Sequence, residues 1–95
     1  MPQDLYELHL IISGRVQGVG FRYFTQKEAH RLGIVGWVRN TTDGNVEMLS
    51  CGDKPSLEEF LSTVTKGPSV SKVSHLQTGW RKIDHMDSSG FAITY

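Results

Sequence analysis

The stretch Gly14-Arg15-Val16-Gln17-Gly18-Val19-Gly20-Phe21-Arg22 constrains this chain more than any other. It follows an apolar run, Leu8 to Ile12, that reads as a strand, and precedes a helical pattern from Arg22 to Leu32. Three glycines in seven positions open backbone conformations closed to other residues. A loop of that kind, entering a helix N-terminus, can point several N–H groups at one spot. Such a nest binds anions, and the helix dipole adds to it. Arg22 falls where the helix begins, and its planar guanidinium suits the paired oxygens of a phosphate or carboxylate. The loop lacks the Lys-Ser/Thr pair of a P-loop and the third glycine of a dinucleotide fingerprint. Spacing alone therefore leaves two readings, an oxyanion cradle holding one arginine or a tight structural turn.

The rest of the chain supplies the frame. Glu7 to Ser13 alternates, with Leu8, Leu10 and Ile12 on one face. Phe21, Phe24, Thr25, Ala29 and Leu32 form the apolar stripe of the first helix. Glu28 projects into that stripe and needs solvent or a donor, and Gly33 reads as a left-handed C-cap. Ile34 to Asn40 and Asn45 to Cys51 read as an antiparallel pair around Thr41-Thr42-Asp43-Gly44, where Asp-Gly signals a two-residue hairpin loop. Gly52 to Pro55 reads as a loop. Ser56 with Glu59 forms a capping box for a second helix, whose stripe is Leu57, Phe60, Leu61 and Val64 and whose stop is Gly67-Pro68. Val70 to Thr78 reads as a fourth strand, Trp80 to Gly90 as loop or edge, and Phe91 to Tyr95 as a short last strand.

Strand, helix, strand, strand, helix, strand is the order of the α+β ferredoxin-like fold, a split β-α-β arrangement. An antiparallel sheet with both helices on one face would bury both stripes. Strand three then lies between strands one and two, so Asn40 comes out at the same sheet edge as the glycine loop. Two strand spacings place the two about 10 Å apart at the backbone, close enough for side chains to meet over a small anion.

Ninety-five residues are expected to make a single domain, 1–95. Ten basic and ten acidic residues balance, so no basic nucleic-acid surface is indicated. The lone cysteine, Cys51, allows no internal disulfide and points to a reducing compartment. No apolar run approaches the ~18 residues of a membrane span. Met1 to Asp4 lacks the basic and apolar regions of a signal peptide. Cytoplasm, no membrane partner and a monomer are the default expectations. His9, His30, His75 and His85 show no metal-ligand spacing, and no metal is expected.

The glycine stretch resembles the signature loop of the acylphosphatase family. Leu32-Gly33-Ile34-Val35-Gly36-Trp37-Val38-Arg39-Asn40 resembles that family's second signature, and Asp43-Gly44-Asn45-Val46-Glu47 and Gly67-Pro68 fit its pattern. The resemblance implies a ferredoxin-like fold and hydrolysis of small-molecule acyl phosphates to carboxylate and inorganic phosphate, with no metal or cofactor. Inorganic phosphate would be the product and a competitive inhibitor. By the resemblance, Arg22 binds the phosphoryl group and Asn40 positions the attacking water. The backbone amides of Arg15, Val16, Gln17, Gly18, Val19 and Gly20 hold phosphate oxygens. Trp80 to Gly90 matches no family pattern.

So sparse a site suits this chemistry. A carboxylate leaving group, with a conjugate-acid pKa near ~4, departs without a general acid, and phosphoryl transfer needs mainly positioning and charge stabilisation. The Arg15 side chain and Arg39 read as surface, and Cys51 as packed rather than nucleophilic. Trp37 and Trp80 read as core or partial cover, with either able to sit beside the acyl group. RNA-recognition domains share the element order and a Gly-aromatic motif. Those domains place the motif's aromatics on an exposed sheet face, whereas Phe21 and Phe24 here belong to a helix stripe. A regulatory binding domain on the same fold is the other rival, and the presence of both Arg22 and Asn40 argues against it.

Overall fold

Alternating side chains build the core. Leu8, Leu10 and Ile12 from one strand, and Val46, Met48 and Ser50 from another, are fully buried on the face that the helices cover. The computed structural model describes residues 4–86 and 89–95. Its elements are β1 (Leu5–Arg15), α1 (Phe21–Leu32), β2 (Val35–Asn40), β3 (Val46–Asp53), α2 (Lys54–Lys66), β4 (Lys72–Ile83) and β5 (Phe91–Thr94). The sheet order is β4-β1-β3-β2-β5. β3 pairs antiparallel with both β1 and β2, so β1 and β2 run the same way. This is the expected α+β ferredoxin-like frame with one addition. β5 lies parallel to β2, which makes the sheet mixed rather than antiparallel.

The helices close the core as their stripes require. Phe21, Thr25 and Ala29 of α1 are buried, as are Leu57, Phe60 and Val64 of α2. Glu28 finds its donor in Arg31, at 2.8 Å. Gly33 ends α1 in the left-handed region, with φ 69°.

Three local expectations need correction. The cap of α2 is Asp53, not Ser56. The Asp53 carboxylate accepts from the Ser56 backbone N–H at 3.1 Å and from the Ser56 hydroxyl at 2.9 Å. The helix begins at Lys54 because Pro55 fits the first turn, where its missing N–H leaves no bond unmade. The β2–β3 hairpin does not close on a two-residue Asp-Gly loop: three residues, 42–44, lie between the bonded Thr41 and Asn45. Thr41 N–H donates to Asn45 O at 2.9 Å, and only Gly44, φ 92°, has left-handed backbone there. Finally, β4 begins at Lys72 rather than Val70 and runs past Thr78 to Ile83, so that Trp80 to Ile83 takes the edge alternative rather than the loop, paired with β1. It is an edge strand with most side chains exposed, so backbone bonds rather than burial hold it, and burial is what alternation reports. The stretch 87–88, inside the expected polar segment, lies outside the described residues.

Asp53→Ala removes the acceptor for the Ser56 N–H and is expected to cost about 1 kcal/mol. Urea unfolding checks this, while Ser56→Ala, which leaves the backbone bond in place, is expected to cost less.

Candidate functional site

Two pairings set the site. Ile12 of β1 and Asn40 of β2 both face Val46 of β3, so they stand level, two strand spacings apart. Asn40 shares its sheet face with the buried Val38, the face that α1 covers. Strand order alone thus carries Asn40 to the end of the sheet where β1 gives way to the glycine loop.

The loop is anchored at both ends. The β1–β4 register shifts between Ser13 and Gly14. Gly14 adopts φ 128°, and a Cβ there would collide with the Lys72 carbonyl oxygen. Gly14 therefore belongs to a bulge in the strand rather than to the loop proper. Val16 is buried in the core and Val19 packs against its margin. Gly18 and Gly20 take φ 73° and 77° on either side of Val19, whose own φ is negative. Left- and right-handed residues in succession turn neighbouring N–H groups toward one side. Among the described residues, the N–H groups of Val16, Gln17, Gly18, Val19 and Gly20 donate to no protein carbonyl or side chain. Gly20 is the N-cap of α1 and supplies no side-chain cap, so the helix N-terminus adds its own unspent donors.

Three residues of the loop, Val16, Gly18 and Gly20, line a cavity of about 190 Å³ together with Arg22 and Asn40. Phe21, Tyr23, Ile93 and Tyr95 complete its wall. The half-buried Arg22 guanidinium lies 5.3 Å from the centroid of the Tyr95 ring. Among the described residues no carboxylate pairs with it. Tyr23, Ile93 and Tyr95 were not expected here. Alternation placed Ile93 and Tyr95 on one face of the last strand, but nothing local showed that β5 would join β2 and bring them to Asn40.

The remaining expected loop residues lie elsewhere. Arg15 is exposed and, with Gly18, Val19 and Lys72, lines a separate hollow of about 630 Å³. The Gln17 side chain reaches across to the β2–β3 turn, donating to Thr41 O at 2.9 Å and Asn45 O at 2.8 Å.

Other candidates fall outside the cavity. Arg39 points to the opposite sheet face and meets Glu47 through two nitrogens, at 2.9 and 2.7 Å. His9 Nε2 reaches the same carboxylate at 2.6 Å. These bonds, His9 first and Arg39 second, hold the Glu47 carboxyl below its ordinary range. Trp37 stacks near Arg39, and Trp80 packs edge-on against Tyr6 at 6.3 Å, so neither lines the cavity. Among the described residues, no three His, Cys, Asp or Glu side chains gather as metal ligands would. No helix among them is long and apolar enough to cross a membrane.

Fold and cavity together define a ferredoxin-like α+β protein in which a glycine loop, an arginine and an asparagine converge at one end of the sheet. A sequence model of the acylphosphatase family matches residues 8–93. An acylphosphatase of Bacillus pumilus is 55% identical over 69 residues, covering 73% of this chain and 77% of its own length. One from Geobacillus thermodenitrificans is 43% identical over 88 residues, 93% of each chain. The crystal structure of acylphosphatase from Bacillus subtilis superposes with a TM-score of 0.90 at 39% identity, over 95% of this chain and 99% of that one. The chain belongs to the acylphosphatase family, hydrolases that act on acyl phosphates.

Proposed function

We propose that the cavity cleaves the carboxyl-phosphate bond of a small acyl phosphate by in-line attack of water at phosphorus, giving a carboxylate and inorganic phosphate. The loop amides from Val16 to Gly20 and the Arg22 guanidinium hold the phosphoryl oxygens, while Arg15, paired with Lys72 at the end of β1, stays outside the cradle. Asn40 accepts a hydrogen bond from the attacking water through its side-chain oxygen and holds it in line. Three loop residues with unspent N–H donors (Val16, Gly18 and Gly20), an arginine with no carboxylate partner among the described residues and an asparagine, all lining one small cavity, are the observation that carries this proposal.

Each part has a physical task. Negative charge on the equatorial oxygens meets fixed donors that need no reorganisation during the step. The P–O bond to the carboxylate breaks as the bond from water forms, and the carboxylate leaves unprotonated. Asn40 cannot take a proton at neutral pH, so the water's proton passes to a phosphoryl oxygen of the substrate or to solvent late in the step. Inorganic phosphate, which presents the same oxygens, competes with substrate. The proposal calls on no cofactor, nucleic acid or membrane. It describes a monomeric single domain, residues 1–95, acting in the cytoplasm.

Hydrolysis of benzoyl phosphate in excess chelator is the direct test. Asn40→Ala is expected to lose about 100-fold in kcat, because a misplaced nucleophile forfeits orientation. Its inhibition constant for phosphate should change by less than about threefold, because the phosphate donors stay in place. Near-full turnover in Asn40→Ala would remove Asn40 from the mechanism.

A further inference from the structure

The cradle and the water-holding residue sit on different parts of the chain. The loop hangs from β1 and Asn40 ends β2, with β3 between them. Hydrogen-bond length fixes in-line attack to within a few tenths of an ångström, so something must hold the two parts at a set separation. Among the described residues, the only hydrogen bonds between residues 15–20 and residues 40–45 are the two from Gln17. Its Nε2 stands 2.9 Å from Thr41 O and 2.8 Å from Asn45 O. Both neighbours are carbonyl acceptors, so the amide nitrogen, with its two hydrogens, has to face them.

The receiving turn is itself closed. Thr41 N–H donates to Asn45 O, and Asn45 N–H donates to the Thr41 hydroxyl at 3.0 Å. Thr41 directly follows Asn40, so a shift of the turn moves Asn40 with it. We propose that Gln17 is a positioning residue, whose carboxamide ties the phosphate loop to the turn after Asn40 and so sets the distance from phosphorus to the attacking water. The proposal rests on the reading of the cavity given above, and adds a role for a side chain that touches neither phosphate nor water.

Three variants test it. Gln17→Met keeps the length and removes both donors. Gln17→Glu keeps the shape but turns a carboxylate toward two carbonyl oxygens, which repel it. Gln17→Asn is one methylene too short to reach both. With benzoyl phosphate at 25 °C, and folding verified by circular dichroism, Gln17→Met is expected to lose about 10- to 100-fold in kcat. Its inhibition constant for inorganic phosphate should stay within about threefold of the parent value. Gln17→Glu should regain part of the loss as pH falls through the carboxyl range near ~4.3, where the protonated acid recovers one donor. Gln17→Met has no such group and should show no recovery beyond that of the parent.

A kcat for Gln17→Met within about twofold of the parent would overturn the proposal, since orientation effects of this kind exceed that. Weaker phosphate binding with unchanged kcat would overturn it too, making Gln17 part of the cradle alone. A second measurement does not depend on turnover. Inorganic phosphate titrated into the parent protein is expected to shift the Thr41 and Asn45 amide resonances along with those of the loop. In Gln17→Met only the loop should respond. Equal responses of the turn in both proteins would refute the link. If the parent binds phosphate without hydrolysing benzoyl phosphate, the hydrolytic reading fails while the titration still decides whether Gln17 couples loop and turn. If the parent does neither, both fall together.

Discussion

Arg22→Ala is expected to lower kcat/KM for acyl phosphates by at least about 1,000-fold and to weaken inorganic phosphate binding in parallel. A single neutral oxyanion donor is typically worth about 100- to 1,000-fold, and a guanidinium facing a transferring phosphoryl group about 1,000-fold or more. Arg22 brings a full charge and a planar pair of donors to the same cavity as the loop amides. Its guanidinium is not committed to any described carboxylate, and the Tyr95 ring, 5.3 Å away, flanks it without competing for its N–H donors. Arg22→Lys should recover little, because an ammonium cannot match two oxygens with fixed parallel bonds. Thermal unfolding should be nearly unchanged in both variants, since neither removes an ion pair seen among the described residues. Steady-state kinetics with benzoyl phosphate and calorimetric titration with phosphate check the two losses separately. Arg22→Ala within tenfold of the parent in both would mean that the loop amides carry the phosphoryl group without it.

What the sequence revealed follows from what each signal measures. β1 and β3 each have one covered face, so Leu8, Leu10 and Ile12, and Val46 and Met48, alternate visibly. β4 has neither face well covered, so its strand character lies in backbone pairing with β1 and leaves no alternation across Trp80 to Ile83. Asp53 was hidden as a cap because Gly52 to Pro55 reads as a loop and Ser56 with Glu59 offers a capping box of its own, although proline is at home in a first turn. For the site, Arg22 stood beside the glycine loop in the chain, and the expected strand order brought Asn40 to it. Tyr95 depended on β5 adding parallel to β2, a long-range choice that no local pattern records. The Gln17 side chain depended on where two carbonyl oxygens of a distant turn would point. Main-chain geometry was therefore legible from glycine spacing and apolar periodicity, and cross-chain side-chain bonds were not.

Gly36→Ala is expected to be among the most damaging single-methyl changes available in this chain, although Gly36 touches no part of the cavity. It is the second residue of β2, with φ 142°, a backbone that side chains rarely adopt. An added Cβ would collide with the Leu49 carbonyl oxygen and lie 2.9 Å from the Leu49 carbonyl carbon and 3.2 Å from Ser50 Cα. All three atoms are backbone, so no rotamer change relieves the clash. Nor can β2 slide away. Gly36 pairs with Ser50 of β3 on one side and with Phe91 of β5 on the other, and its N–H donates to Gly90 O at 2.9 Å. Backbone strain of about 1–3 kcal/mol adds to overpacking of about 1–3 kcal/mol, giving a loss of roughly 2–6 kcal/mol where whole domains have about 5–15. Gly52→Ala is the matched control. Gly52, on the neighbouring strand, is more buried than Gly36, but its added Cβ would meet only the Ile34 side chain at 3.5 Å, an ordinary contact. That change is expected to stay within about 1 kcal/mol of the parent, since alanine is the better strand residue where it fits. Urea unfolding of the pair separates the two cases. If Gly36→Ala unfolds at the same urea concentration as Gly52→Ala, β2 is not held as closely against Leu49 as its geometry implies. Asn40, four residues further along the same strand, would then lack the rigid support that its proposed role requires.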